Sequence, residues 1–479
     1  MTISPSSVEI FFGEVYSAVQ RTRGVDAAHL NFPSELPVPL GAPAKHLFGI
    51  NANNLFLNNG SFGAAPVAAQ VMRLYWEMLS DGDCEYWYRV DAEKRLREVR
   101  VSMSGFIGCD ADDLFLVENA CDAMNVLLKS ILFNPAFRCS QTPSSRRHRV
   151  YLWDRQYPMV KNGIKFWNSR SACESAEAGL EVRELKATLG MLKDERQLIQ
   201  CIVDEVLRDG GVEFMIIDHV CWSPGMIMPI EEVCAQIRGR EPTMGRTFII
   251  IDGAHAIGQL DLQPLFARNA AHQAATGYPL FDAYFSNFHK WFMAPRSAAF
   301  LYVSRSHHRY LHPNMIANHY RGHAGGCAQD SEFDNSPAAL HHEFFWSGTR
   351  DLSNLMVLPY VLNFRRDVLG GEDVIRAYCH STLLAGVRRV CDIWRTEPLL
   401  SDSDRVAAIA TVECPCSVPE ATKAVEEMMR ESNAVRCFLP VLNIDDRAFA
   451  RLSAQVFTTV EDFERGAALF LDALSRVQV

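Results

Sequence analysis

The run Thr247-Phe-Ile-Ile-Ile-Asp-Gly-Ala-His255 is apolar from Phe248 to its aspartate, with no alternation of polar and apolar side chains. A strand wet on one face alternates. An unbroken run therefore predicts a strand covered by helices on both faces, as in a parallel sheet. Glu213-Phe-Met-Ile-Ile-Asp218 repeats the pattern and again stops at an aspartate. Further strands are expected at Asp113–Val117, Val150–Trp153, Ala283–Ser286 and Ala298–Val303. Helical patterns at Ala92–Phe106, Asp122–Leu132 and Leu192–Leu207 accompany them. In the last, Leu198, Ile202, Val203, Val206 and Leu207 recur at helical spacing and make one apolar face. Strands that alternate with helices indicate crossover units, so the fold class is α/β with a mostly parallel sheet between helices.

Outward from that sheet, residues 1–45 read as an N-terminal arm with a helix over Val8–Arg21 and a Pro-rich passage after it. Residues 46–355 read as the large domain and 356–479 as a smaller α+β domain. The smaller domain is expected to hold a helix at Val357–Asp367, where Pro359 falls in the first turn. Strands are expected at Ala407–Glu413, Ala434–Leu439 and Ala450–Phe457, and helices at Pro419–Glu431 and Val460–Val477. Thr458-x-x-Glu461 fits a capping box for the final helix. Cys139–Arg149 and Phe266–Leu280 read as exposed loops.

With 479 residues, 48% hydrophobic and 22% charged, the composition is that of an ordinary globular protein and excludes a disordered chain. A net charge of −10 argues against a surface built to coat nucleic acid or an anionic membrane. No apolar run reaches the roughly 20 residues that cross a bilayer. The first residues lack a basic stretch followed by an apolar block, so a cytoplasmic location is expected. The 14 cysteines show no repeating spacing and read as free thiols. His323, His341 and His342 lack metal-ligand spacing with nearby acids, so no metal is expected.

Four features fall near the ends of expected strands, where open α/β sheets place ligands. Phe281–Lys290 is a buried strand running into a histidine and a lysine. An apolar neighbourhood lowers a lysine's pKa, as Schiff-base chemistry requires, although a surface lysine after a strand looks the same. Asp252 ends an all-apolar strand and so needs a cationic partner such as a protonated pyridine nitrogen, unless it is simply a turn aspartate. Glu118–Asn125 joins a strand to a helix start, whose backbone N–H groups make an anion site. Asn58–Gly63 has glycines that allow a tight backbone path beside a ligand, or an ordinary loop.

Taken together, LNNGSFGAAP, ENACDAMN, DHV, DGAH, SNFHKW, WSGTRD and RLSAQVF, in that order, resemble the class V aminotransferase family of pyridoxal-phosphate enzymes. The resemblance is strongest to the branch that holds isopenicillin-N epimerases and sulfoxide C–S lyases of thiol-histidine biosynthesis, and it spans roughly residues 47–474. It implies the aspartate-aminotransferase fold (fold type I), a homodimer, and pyridoxal 5'-phosphate as cofactor. Lys290 matches the residue joined to the cofactor as a Schiff base, and Asp252 the partner of its pyridinium nitrogen. His255 matches a neighbour of the phenolic oxygen. The Ala120 and Cys121 amides, with the Asn287 and His289 side chains, match the phosphate site. Tyr157 matches the aromatic residue stacked on the ring and is a candidate proton donor. Gly348 and Thr349 match the segment that reaches the phosphate of the partner subunit. Arg451 matches the arginine that grips a substrate α-carboxylate, with Asn59 and Ser61 as further substrate contacts. Two departures stand out: Cys221-Trp222 replaces a polar pair that serves the phenolic oxygen, and Cys121 replaces a phosphate-binding threonine.

The resemblance implies an α-amino acid substrate and favours β-elimination from a cysteine S-conjugate or sulfoxide. Epimerisation is the first alternative, followed by cysteine desulfuration or transamination, and then a scaffold dimer without activity. Desulfuration needs a mobile nucleophilic cysteine, and neither Cys379 nor the Cys414/Cys416 pair fits that loop pattern.

Overall fold

The computed structural model describes residues 36–134, 137–138, 148–171, 179–240, 246–322, 333–430 and 432–478. The helix expected over Val8–Arg21, most of the 139–149 loop and His323 lie outside the described residues. The described chain forms two units, one from residues 93–288 and 297–350, the other from residues 36–92, 289–296 and 351–478.

The first unit is built on a seven-stranded sheet. Its strands are β1 (Leu114–Val117), β2 (Arg149–Trp153), β3 (Glu181–Leu185), β4 (Phe214–Asp218), β5 (Phe248–Asp252), β6 (Ala283–Asn287) and β7 (Ala299–Val303). Their spatial order is β1-β7-β6-β5-β4-β2-β3. The run from β6 to β3 is parallel, and β7 is antiparallel to both its neighbours. Every residue of β2, β4, β5, β6 and β7 is buried, as the unbroken apolar runs require. The sheet is thus mostly parallel, as expected. The strand β3 was not legible: Glu181-Val-Arg-Glu-Leu buries only Arg183, and its charges suit an edge position.

Phe266–Leu280 is not a loop. Residues Gln263–Thr276 form a helix that buries Leu265, Phe266 and Asn269 and ends at Gly277 in the left-handed region. Its alanines favour helix, and its few buried positions left no readable period. The helix expected at Leu192–Leu207 is interrupted at Asp194, whose carboxylate accepts from Gln197 N at 3.0 Å and caps the helix Glu195–Leu207.

At its N-terminal edge, β6 is anchored by Asp282, which is fully buried. Its Oδ2 accepts from Arg238 Nη2 at 2.7 Å and from the Ile249 amide at 2.9 Å. Its Oδ1 lies 2.6 Å from Arg246 Nη2 and 2.9 Å from His307 Nε2. Burial alone would raise this carboxyl's pKa, but Arg238, His307 and Arg246 outweigh it and hold the group well below the usual carboxylate range.

The second unit differs from the expected domain division. Residues 46–92 group with the C-terminal segment rather than with the large sheet, because Leu55 and Leu57 share one apolar cluster with Leu383, Phe463 and Phe470. The Leu55 amide also donates to Arg436 O at 2.9 Å. The remaining boundary falls at residue 351 instead of 356. The three-stranded antiparallel sheet of this unit contains β8 (Ile409–Glu413), β9 (Val441–Ile444) and β10 (Arg447–Ser453), ordered β8-β10-β9. The strand expected at Ala434–Leu439 therefore lies beyond Pro440, and β10 ends four residues earlier than expected. The capping box of the helix Val460–Val477 uses Thr459 and Asp462. Thr458 accepts instead from the Gln455 amide at 3.0 Å. No helix among the described residues is long and apolar enough to cross a membrane.

Candidate active site

In the sheet unit the expected residues gather at the C-terminal ends of β4, β5 and β6. Asp218 closes β4 and Asp252 closes β5, in register as nearest neighbours. Both are buried. Asp252 Oδ1 accepts from the Ala254 amide at 3.0 Å, while Trp153 Nε1 donates to Asp218 Oδ2 at 2.7 Å. Burial and the adjacent Asp252 charge hold the Asp218 carboxyl well above the usual range. His219 Nδ1 lies 2.9 Å from the Tyr284 hydroxyl, and burial pulls its pKa down to about 4, so the ring is neutral. Gly253 is dictated by this packing: a Cβ there would meet the Tyr284 ring at 2.4 Å. His255 is buried and its carbonyl accepts from Gln259 Nε2.

Beyond β6, Asn287 Oδ1 accepts from the Ala120 amide at 2.9 Å. This corrects one expectation: the Ala120 N–H is spent on Asn287 and does not point at an anion, so Asn287 ties β6 to the helix Ala120–Leu127. The same turn is closed by Asn119 Oδ1 accepting from Asp122 N at 3.0 Å and Asp122 Oδ2 accepting from Glu118 N at 3.1 Å. Cys121 is exposed at this helix start.

Tyr157 is 44% exposed and stands edge-on to Trp222, with centroids 5.9 Å apart at 86°. Trp222 Nε1 donates to Arg155 O at 2.9 Å, bracing the turn that carries Tyr157. Cys221 points into the core, its Sγ 3.3 Å from Met226 O, and burial pushes its thiol pKa up. The departure from the family pattern thus exchanges a polar pair for a core thiol and an aromatic brace. Gly348 has φ +103, a conformation suited to glycine, and Thr349 beside it is exposed. Arg350 pairs with Glu118 at 2.6 Å.

In the other unit, Arg451 is buried on β10. Its Nη2 donates to Asn58 Oδ1 at 2.8 Å and to Ser61 Oγ at 3.2 Å, and Asn58 Nδ2 reaches Ser61 Oγ at 2.8 Å. Asn58, rather than Asn59, is therefore the asparagine that bonds to Arg451. Asn59 turns the other way. Its amide donates to Ser453 Oγ at 2.7 Å and its Nδ2 to Lys290 O at 3.3 Å. Gly63, at φ +65, lies so close to the same segment that a Cβ would sit 1.9 Å from His289 O. The 58–63 loop is thus laid against the main chain of His289 and Lys290, both half-buried and two and three residues past the end of β6. Nothing in the sequence said which of two adjacent asparagines would face the arginine. Asp218 was missed as well, although its apolar run ending in aspartate duplicates that of Asp252.

These residues fit pyridoxal phosphate. The buried Asp252 at the end of β5 suits a cationic ring nitrogen. No group of three or more metal-ligating side chains occurs among the described residues.

No family model matches the chain. An L-cysteine desulfhydrase of Arabidopsis thaliana is 26% identical to it over 434 residues, 85% of each chain. Hercynylcysteine sulfoxide lyase of Schizosaccharomyces pombe is 21% identical over 437 residues, 91% of this chain and 98% of that one. Isopenicillin N epimerase of Streptomyces clavuligerus is 24% identical over 423 residues, 88% of this chain and 94% of that one. The cystine C–S lyase solved with its product cysteine persulfide matches at TM-score 0.66 and 16% identity, covering 88% of this chain and 98% of that one. Over most of its length the chain is similar to cysteine desulfhydrases, a sulfoxide lyase and an epimerase. Its fold is that of fold type I, with the mostly parallel seven-stranded sheet as the large layer.

One chemical property of the C-terminal segment bears on the desulfuration alternative. The cysteines of residues 351–478 are all unactivated. Burial pushes Cys379 and Cys437 up to about 12 and Cys391 and Cys416 up to about 11, and it raises Cys414 further still. A thiolate nucleophile requires the opposite shift.

Proposed function

We propose that the protein is a pyridoxal-phosphate-dependent C–S lyase that breaks the Cβ–S bond of a cysteine S-conjugate or sulfoxide. The observation that carries this reading is the raised set of thiols in the C-terminal segment: none of the five cysteines of residues 351–478 is poised to accept sulfur, which favours loss of the sulfur by elimination. The C–S-cleaving relatives support the same reaction class.

The bound cofactor supplies an electron sink for the negative charge that develops at Cα. Lys290 Nζ would anchor the cofactor and take the Cα proton. Asp252 would serve its ring nitrogen, Tyr157 its ring face and His255 its phenolic oxygen. The Cys121 amide and His289 remain the candidates for the phosphate, with Gly348 and Thr349 contributed across a homodimer. Arg451, held by Asn58 and Ser61, presents its guanidinium to the substrate carboxylate. For a thioether substrate the net change is R–S–CH2–CH(NH3+)–COO− plus water giving R–SH, pyruvate and ammonium. A cytoplasmic location goes with this reading. A relative of Arabidopsis thaliana, 26% identical over 435 residues, is named a probable chloroplastic L-cysteine desulfhydrase.

Incubation with L-cysteine S-conjugates and their sulfoxides tests the reaction: pyruvate and ammonia in equal amounts are expected. Inversion at Cα without either product would instead establish the epimerase alternative. Arg451→Lys is expected to lower kcat/KM by about 10- to 100-fold, mostly through KM, because lysine forfeits one arm of a two-pronged charged contact. An unchanged KM in steady-state assays would remove Arg451 from the carboxylate site.

A further inference from the structure

Asp218 has no part in the chemistry above, yet it stands directly beside Asp252. The two residues end adjacent parallel strands in register, so their side chains project from the same face of the sheet. Only 3% of Asp218 and 4% of Asp252 is exposed. Two carboxylates side by side and away from water do not both ionise cheaply; such pairs retain one proton between them. Trp153 Nε1 donates to Asp218 Oδ2 at 2.7 Å, which fixes the carboxyl and leaves its other oxygen to carry a proton.

The groups around the pair leave it in this state. Tyr151 and Trp153 come from β2, Cys221 and His219 from the turn after β4, and Tyr284 from β6. Burial and the carboxylate charges push both tyrosines and Cys221 up, and His219 is neutral. None of these named groups carries a positive charge.

We propose that Asp218 is a positioning residue of the cofactor site: as a neutral acid it donates its proton to Asp252, so that the pair presents one fixed negative charge to the ring nitrogen. The inference rests on the proposed cofactor. Without that donor Asp252 becomes more basic and competes for the nitrogen's proton, which weakens the electron sink.

Two substitutions and two readouts test it. Asp218→Asn keeps a neutral hydrogen-bonding group of the same shape, whereas Asp218→Leu removes the donor. With pyridoxal phosphate bound, the pH midpoint of the visible absorbance should stay within about 0.3 units of wild type in D218N and move by about a unit or more in D218L. The second readout needs no cofactor. A carboxyl whose pKa is raised in the folded state loses stability as pH climbs from the unfolded value toward the folded one, and asparagine escapes that loss. The D218N apoprotein should therefore melt no lower than wild type at pH 8, and its advantage should grow between pH 6 and pH 8. A D218N apoprotein that melts several degrees below wild type at pH 8, or a D218L midpoint equal to wild type, overturns the inference. A wild-type protein with no visible band on adding pyridoxal phosphate overturns the cofactor reading instead, and the apoprotein melting comparison still decides whether Asp218 carries the proton.

Discussion

Lys290→Ala is expected to reduce release of pyruvate from a cysteine S-conjugate by about 10³-fold or more, close to the background of free cofactor. The size follows from the two duties assigned to one amine, which anchors the cofactor carbonyl and moves the Cα proton; a positioned general base alone contributes about 10²–10⁴-fold. The loss is expected without unfolding, because two contacts of this segment use the main chain, which alanine keeps: Asn59 Nδ2 bonds to Lys290 O, and Gly63 packs against His289 O. The check is a pyruvate assay beside a melting curve. Full turnover by the alanine variant at wild-type stability would falsify the assignment of Lys290.

Asp282→Asn is expected to have the largest effect on stability, a loss of about 3–5 kcal/mol in urea unfolding at pH 7. The carboxylate is fully buried and meets Arg238, Arg246 and His307 on two oxygens, so a neutral side chain strands two guanidinium groups in or near the core. Because its folded pKa is depressed, Asp282 contributes stability above the unfolded carboxylate pKa of about 3.9, and that contribution drains away as pH falls below it. Wild type should therefore lose more stability between pH 5 and pH 2.5 than the asparagine variant does. A neutral-pH loss under about 1 kcal/mol would show that Asp282 is replaceable.

The parts of the fold that were legible in the sequence are those where both faces of an element are buried. Phe248–Asp252 and Phe214–Asp218 announce themselves because no polar residue interrupts them. The elements that were missed carry weak periodicity: β3 buries one residue of five, and the helix Gln263–Thr276 buries three of fourteen. Partition into units failed for residues 46–92 for another reason. The choice of which core Leu55 and Leu57 join is a long-range matter, decided by partners such as Phe463 that lie some four hundred residues away. Residue types and motif order were enough to single out Asp252, Lys290 and Arg451 as candidates. Side-chain direction was not readable: the sequence does not show that Asn58 bonds to Arg451, or that the Ala120 amide turns to Asn287 rather than to an anion.

The central claim is that this chain binds pyridoxal phosphate through Lys290. The most direct test is the absorbance spectrum of the purified protein with the cofactor, followed by borohydride reduction and peptide mapping. The account predicts a visible band that borohydride bleaches, and a stable pyridoxyl label on the peptide containing Lys290. No band, or a label on any other lysine, would contradict it.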